Sequence, residues 1–189
     1  MGVDPGTRFG HLVTVRVVDF VIVSGPPGSG KSTLAQPLAA QLQLPLLGKD
    51  TIKEAMMDAL GVETVEDSRR IGGAAIASLF ALARANGRAV MESNWSSRLA
   101  IDDLRSLGGV IVEIFCDVDP AVSQRRYLDR AATRHRGHFD LSRRDDPSLW
   151  TGASLQPIAG GWPVLHVDTT APVEIVALAC AVAAATEHA

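Results

Sequence analysis

The stretch Val21–Thr33, VIVSGPPGSGKST, decides the fold. An apolar, strand-like run passes directly into Gly25–Ser32, GPPGSGKS, which fits the pattern G-x-x-x-x-G-K-[ST] in full. Gly25, Gly28 and Gly30 let the backbone curl until several N–H groups face one anion, and the helix that follows adds the positive end of its dipole. Lys31 then reaches the β- and γ-phosphates of a nucleoside triphosphate, while Ser32 offers a hydroxyl to Mg²⁺. Pro26, Pro27, Ser29 and Thr33 complete the expected nucleotide-binding set. The strand–loop–helix setting predicts a bound triphosphate, ATP or GTP, with Mg²⁺.

Outward from this loop, short apolar runs alternate with longer segments whose apolar residues recur every three or four positions. DFVIVSG, LPLLGKD, RAVMESN, VIVEIFCD and WPVLHVD predict five buried strands, and the intervening segments predict helices. Continuous apolar strands joined by helical crossovers imply an α/β fold, a doubly wound five-stranded parallel sheet covered on both faces. Ligands then bind beyond the carboxyl ends of the strands. The stretch from Arg134 onward, RHRGHFDLSRRDDPSLWTGASLQPIAGG (residues 134–161), lacks periodicity and predicts a mobile excursion rather than a second domain. Residues 1–189 are therefore expected to form one domain with a lid at about 125–150.

Composition excludes several classes. Of 189 residues 47% are hydrophobic and 5% aromatic, and the net charge is −3, which provides neither a basic groove nor a stacking platform for nucleic acid. Cys116 and Cys180 match no metal or redox spacing, and no run is apolar enough for a membrane span, so a cytoplasmic protein without membrane or nucleic-acid partners is expected. It is expected as a monomer or a homodimer.

A GTPase would carry an Asn-Lys-x-Asp guanine motif, and no Asn-Lys pair exists here. Transfer of the γ-phosphoryl group to a small acceptor needs a carboxylate facing the acceptor hydroxyl and cations that close over the phosphates. Asp50, at the end of the second predicted strand, is the candidate base, with capping of a helix at Thr51 as its alternative role. Glu92, ending the third strand, is placed to hold Mg²⁺ through water, and Trp95 either faces the acceptor or packs. Lys53, Met56, Met57 and Leu60 are expected on the acceptor side. Arg126, Arg130 and Arg134 recur every four residues, within a stretch (125–146) holding seven arginines against four aspartates. They form either a solvated face or a lid. His135 and His138 have the spacing of a zinc pair but no further ligands beside them.

Taken together, GPPGSGKS, LGKDTIKEAM, RRYLDRAATRHRGHFD and HVDTT resemble small P-loop kinases that phosphorylate metabolites and antibiotics: gluconate-kinase-like enzymes, zeta-toxin-like kinases and chloramphenicol phosphotransferase. The resemblance implies that Asp50 is the acceptor-side aspartate, that Arg130 and Arg134 are lid arginines, and that Asp168, Thr169 and Thr170 lie near adenine. It implies ATP-dependent phosphorylation of a hydroxyl on a small molecule, such as an antibiotic or nucleoside-like natural product. The alternatives are an ATP-binding switch without transfer, and a nucleotide or nucleic-acid-end kinase.

Overall fold

Three strands at the centre of the sheet set the position of everything else. β1 (Phe20–Ser24) lies between β3 (Ala89–Glu92) and β4 (Ile111–Asp117), with β2 (Leu46–Gly48) and β5 (Val164–Asp168) at the edges in the order β2-β3-β1-β4-β5, all parallel. The computed structural model describes residues 17–95, 97–131, 133–140 and 146–187. The expectation of five buried strands holds for the three central ones. β2 and β5 are partly exposed, because an edge strand has a neighbour on one side only.

The two faces of the sheet are covered by different helices. α1 (Lys31–Leu42) and α6 (Ile175–Thr186) pack Leu34, Leu38, Leu178 and Val182 against Val21 and Val23. On the other face α3 (Val65–Asn86) and α4 (Ser97–Arg105) pack Leu79, Phe80 and Leu104 against Phe20 and Ile22. The period-two alternation of β1 sends its side chains to both cores in turn, and each fully buried large aliphatic contributes about 1.5–3 kcal/mol. α3 opens with a reciprocal capping box between Thr64 and Asp67. α5 (Pro120–Ala131) opens on Asp119, whose carboxylate accepts from the backbone N–H groups of Ala121 (2.8 Å) and Val122 (3.3 Å). Among the described residues no helix is long and apolar enough to cross a membrane.

One buried acid braces the sheet. Glu113, fully buried in β4, accepts from Ser24 Oγ (2.6 Å), the N–H groups of Ile158 (2.8 Å) and Ala159 (3.0 Å), and Trp162 Nε1 (3.1 Å). Four donors replace the water it has lost, and so tie the approach to β5 to the centre of the sheet.

The aperiodic stretch folds, where described, into three short 3-10 turns: Arg136–His138, Pro147–Trp150 and Gly152–Leu155. Trp150 is buried and its indole N–H donates to the Pro27 carbonyl at 3.2 Å, so the excursion is anchored on the phosphate loop. Residues 1–16 and, within the stretch expected to form a lid, Arg143 and Arg144 lie outside the described residues.

Candidate active site

The register brings the carboxyl ends of the central strands level. Val23 stands opposite both Glu92 and Ile114, and Gly48 stands opposite Glu92. The phosphate loop leaves β1 at this edge and is pressed onto β4 and α5. Gly28 has φ +79°, and a Cβ there would lie 2.1 Å from the Ser123 carbonyl oxygen; Gly25 has φ +136°, with a Cβ position 2.9 Å from the Cys116 carbonyl oxygen. Neither position admits a side chain. Lys31 Nζ donates to the carbonyls of Gly25 (2.9 Å) and Pro26 (2.8 Å), and burial holds its pKa below the ordinary lysine value. Ser29 Oγ is buried without a hydrogen-bond partner.

Lys31, Ser32, Asp50, Glu92, Asn94 and Arg130 line one cavity of about 50 Å³. Glu92 is buried at the end of β3, and desolvation raises its pKa against the opposing pull of Lys31 and Ser32. A hydroxyl and a carboxylate beside a fixed cation form a donor set that suits Mg²⁺, which takes few protein oxygens and keeps several waters. Ser32 and Glu92 would hold it. Beside this cavity a larger cleft of about 560 Å³ is lined by Thr33, Pro37, Arg126, Arg130, Thr169 and Thr170, among others, with room for a nucleoside. Arg126 donates to the carbonyls of Thr169 and Thr170, both at 3.0 Å, and Thr169 Oγ1 donates to the Ser29 carbonyl at 2.7 Å. Arg126 thus braces the cleft wall and ties it to α5, and its Nη groups already serve the protein.

The acceptor side departs in detail from the sequence reading. β3 separates β2 from β1, and Asp50 does not end β2 but belongs to α2 (Lys49–Leu60), one residue inside its first turn. The N-cap is Gly48, with no side-chain cap bond, so Asp50 is not the cap. Its Oδ1 accepts from Lys49 at 3.2 Å and its Oδ2 from Arg134. Burial pushes the Asp50 carboxyl up, but Lys49 and Arg134 outweigh it and hold the pKa at about 2. Arg134 also donates to Asp140 Oδ2 at 2.7 Å. Arg130 Nε is buried without a partner, and the guanidinium lies over the Tyr127 ring, 5.6 Å from its centroid.

Lys53, Met56, Met57 and Leu60, expected on the acceptor side, do not line the small cavity. Lys53 is buried with Nζ on Ser68 Oγ at 2.8 Å, and burial, the largest effect, holds its pKa at about 8. Met57 is buried beneath Gly137 of the lid, where a Cβ would come within 2.9 Å of its Sδ. Both share a face of α2 with Asp50 yet pack against α3 and the lid. Met56 and Leu60, about 100° per residue around the helix from Met57, line a separate apolar depression with Ile52 and Ala55. Trp95 packs: its ring meets Phe80 edge-on at 6.1 Å and its N–H donates to the Val23 carbonyl at 3.0 Å. The two lid histidines pair with α2 carboxylates, His135 with Asp58 (3.1 Å) and His138 with Glu54 (2.7 Å), and no cluster of three or more metal-ligating side chains forms among the described residues.

Sequence reasoning missed Asn94, Tyr127, Asp140 and Trp150. In the sequence Asp140 figures only as an offset to the lid arginines; its placement after RHRGHF is the available signal. Tyr127 lies in the same motif, RRYLDRAATRHRGHFD, while Asn94 and Trp150 carry no pattern that marks them before the chain is folded.

Comparison with known proteins accords with this geometry. The model of the family described as AAA domain matches residues 20–146. A protein from Chloroflexus aurantiacus, provisionally termed a kinase, superimposes with a TM-score of 0.77 at 34% identity over 88% of this chain and 97% of its own. A gluconokinase from Sinorhizobium meliloti shares the fold, with a TM-score of 0.60 at 21% identity over 92% and 96% of the two chains. A cytidylate kinase from Ignicoccus hospitalis is 41% identical over 46 residues, 24% of this chain. That match spans about a quarter of the curated relative, 27% of its length. By fold the chain is like the kinases just named, and by its matched model it belongs to the AAA-domain family.

Proposed function

We propose that the protein transfers the γ-phosphoryl group of ATP to a hydroxyl of an uncharged small molecule, such as an antibiotic or nucleoside-like natural product. The observation that carries this reading is the convergence of Lys31, Ser32, Asp50, Glu92 and Arg130 on one small cavity. A nucleotide-dependent switch has no use for a carboxylate at that point, whereas transfer to a hydroxyl requires one.

Asp50 orients the acceptor O–H and takes its proton as the acceptor oxygen bonds to the γ-phosphorus and the bond to the β,γ-bridging oxygen breaks, releasing ADP. Lys31 and the loop amides hold the phosphate oxygens, and Arg130 neutralises charge from the lid side. Mg²⁺, when held by Ser32 and Glu92, supplies further neutralisation of the β- and γ-oxygens. A neutral acceptor follows from how the nearby cations are matched. Lys49 and Arg134 share Asp50, Arg134 also pairs with Asp140, and the buried Lys53 amine is taken up by the Ser68 hydroxyl. Arg69 and Arg70 line a separate surface depression with Glu66 and Asp67, and Arg70 pairs with Asp67 at 3.2 Å. A nucleoside monophosphate, the acceptor suggested by the cytidylate-kinase match, needs cations of its own.

The test is a competition, with labelled ATP, between the four common nucleoside monophosphates and a panel of neutral hydroxylated compounds. The expected product is a neutral compound gaining the mass of one phosphate. Efficient phosphorylation of a monophosphate, with kcat/KM of about 10⁴ M⁻¹s⁻¹ or above, would return the protein to the nucleotide kinases.

A further inference from the structure

One side chain, absent from the site as read from sequence, touches Arg134 directly and also the ring that lies under Arg130. Asp140 Oδ2 accepts from Arg134 Nη1 at 2.7 Å, and Asp140 Oδ1 accepts from the Tyr127 hydroxyl at 3.0 Å. Arg134 reaches from there to Asp50 Oδ2 with its other terminal nitrogen. Its fork is therefore divided between two carboxylates, one nitrogen to each. A guanidinium with no second carboxylate is free to engage Asp50 through both nitrogens, the geometry that carboxylates favour. Asp140 thereby limits how much of Asp50 the arginine occupies.

The other branch runs towards the donor phosphates. The Tyr127 ring supports the Arg130 guanidinium at 5.6 Å and meets Trp150 edge-on at 5.3 Å, and Trp150 is anchored on the Pro27 carbonyl of the phosphate loop. Arg130 lines the small cavity, yet its Nε has no hydrogen bond. The ring beneath it is therefore a support that Nε does not share with any hydrogen bond. Asp140, nearly buried, fixes the hydroxyl end of that ring.

On the kinase reading above, we infer that Asp140 is a positioning residue for phosphoryl transfer. It sets Arg134 against Asp50 on the acceptor side and, through Tyr127, sets Arg130 against the transferring phosphoryl group. It touches neither substrate. Removing its charge should therefore leave ground-state nucleotide binding nearly intact and weaken the arrangement that a planar phosphoryl mimic reports.

The experiment titrates the full chain with Mg²⁺ and either ADP or ADP plus aluminium fluoride, by calorimetry, and needs no acceptor. Wild type is expected to bind the fluoride complex more tightly than ADP. Asp140→Asn should lose about 10-fold in affinity for the fluoride complex and less than about 2-fold for ADP. Tyr127→Phe should show part of this loss, and the double variant should be no worse than Asp140→Asn, because both act through one chain of contacts. If Asp140→Asn does not fold, Tyr127→Phe alone decides, by whether its loss is confined to the fluoride complex. Equal losses for both ligands would mark a merely structural role and overturn the inference, as would losses that multiply in the double variant. A wild type that does not distinguish the two ligands would overturn the kinase reading and this inference with it.

Discussion

The donor half and the acceptor half of the site are held together by different physics. The donor half is a contiguous loop, Gly25–Ser32, whose shape is fixed by glycine backbone angles and by contact with the backbone of Ser123 and Cys116. The acceptor half gathers Asp50, Arg134 and Asp140 from separate segments and holds them by charged hydrogen bonds. A loop shaped by close-packed backbone is present whatever is bound, whereas an arrangement made of side-chain charges can be rearranged by a lid that moves. Damage to the donor half should therefore abolish the chemistry or destabilise the fold. Damage to the acceptor half should alter the chemical step while leaving nucleotide binding in place.

The largest effect is expected from Lys31→Ala. Phosphoryl transfer should fall by about 10³-fold or more, since one preorganised donor at a developing charge is already worth about 10²–10³-fold. The fold should survive, because the substitution also removes a buried ammonium whose pKa is lowered by desolvation. Transfer assays and thermal melts measure both. Retention of more than a few per cent of activity would erase the asymmetry between the halves.

Glu113→Ala sharpens the comparison from beneath the donor half. It removes the acceptor of four hydrogen bonds in a fully buried setting. The expected loss is about 3 kcal/mol, a fall in Tm of roughly 6–12 °C, with turnover per folded molecule little changed. A melt unaltered by the substitution would show that the sheet does not depend on this brace.

The smallest effect concerns Lys53, buried between α2 and α3. Burial lowers its pKa from 10.5 to about 8 in the folded protein, so between those values the unfolded chain binds more protons. Its contribution to stability is accordingly unfavourable below about pH 8 and improves as pH rises towards 10.5. Lys53→Met should flatten that rise relative to wild type in denaturant titrations between about pH 7.5 and 10. Parallel stability–pH curves for the two proteins would show that the amine is effectively solvated.

The same asymmetry explains how much was legible in the sequence. Gly25–Ser32 is a local pattern whose chemistry follows from contiguous residues, and the βαβ alternation defines the sheet class around it. Asp50, Glu92 and Arg130 stand out as polar residues at strand ends and on a helix face after β4, and they line the same cavity. Lys53 and Met57 lie in the stretch after Asp50 that is expected on the acceptor side; their burial depends on α3 and on Gly137, which no local pattern reports. Trp95 leaves two roles open in the sequence, and its contacts with Phe80 and Val23 come from distant segments. Tyr127, Asp140 and Trp150 act through tertiary contacts across an aperiodic stretch, where spacing carries no information about partners.

Asp50→Asn tests the central claim most directly, because it keeps the size of the side chain and removes its basicity. It should be compared with wild type using ATP and the best neutral acceptor, with ADP affinity measured alongside. kcat is expected to fall by about 10²- to 10⁴-fold while the Kd for ADP stays within a few-fold. A kcat close to wild type would contradict the account, and would reduce Asp50 to a counter-ion for Lys49 and Arg134.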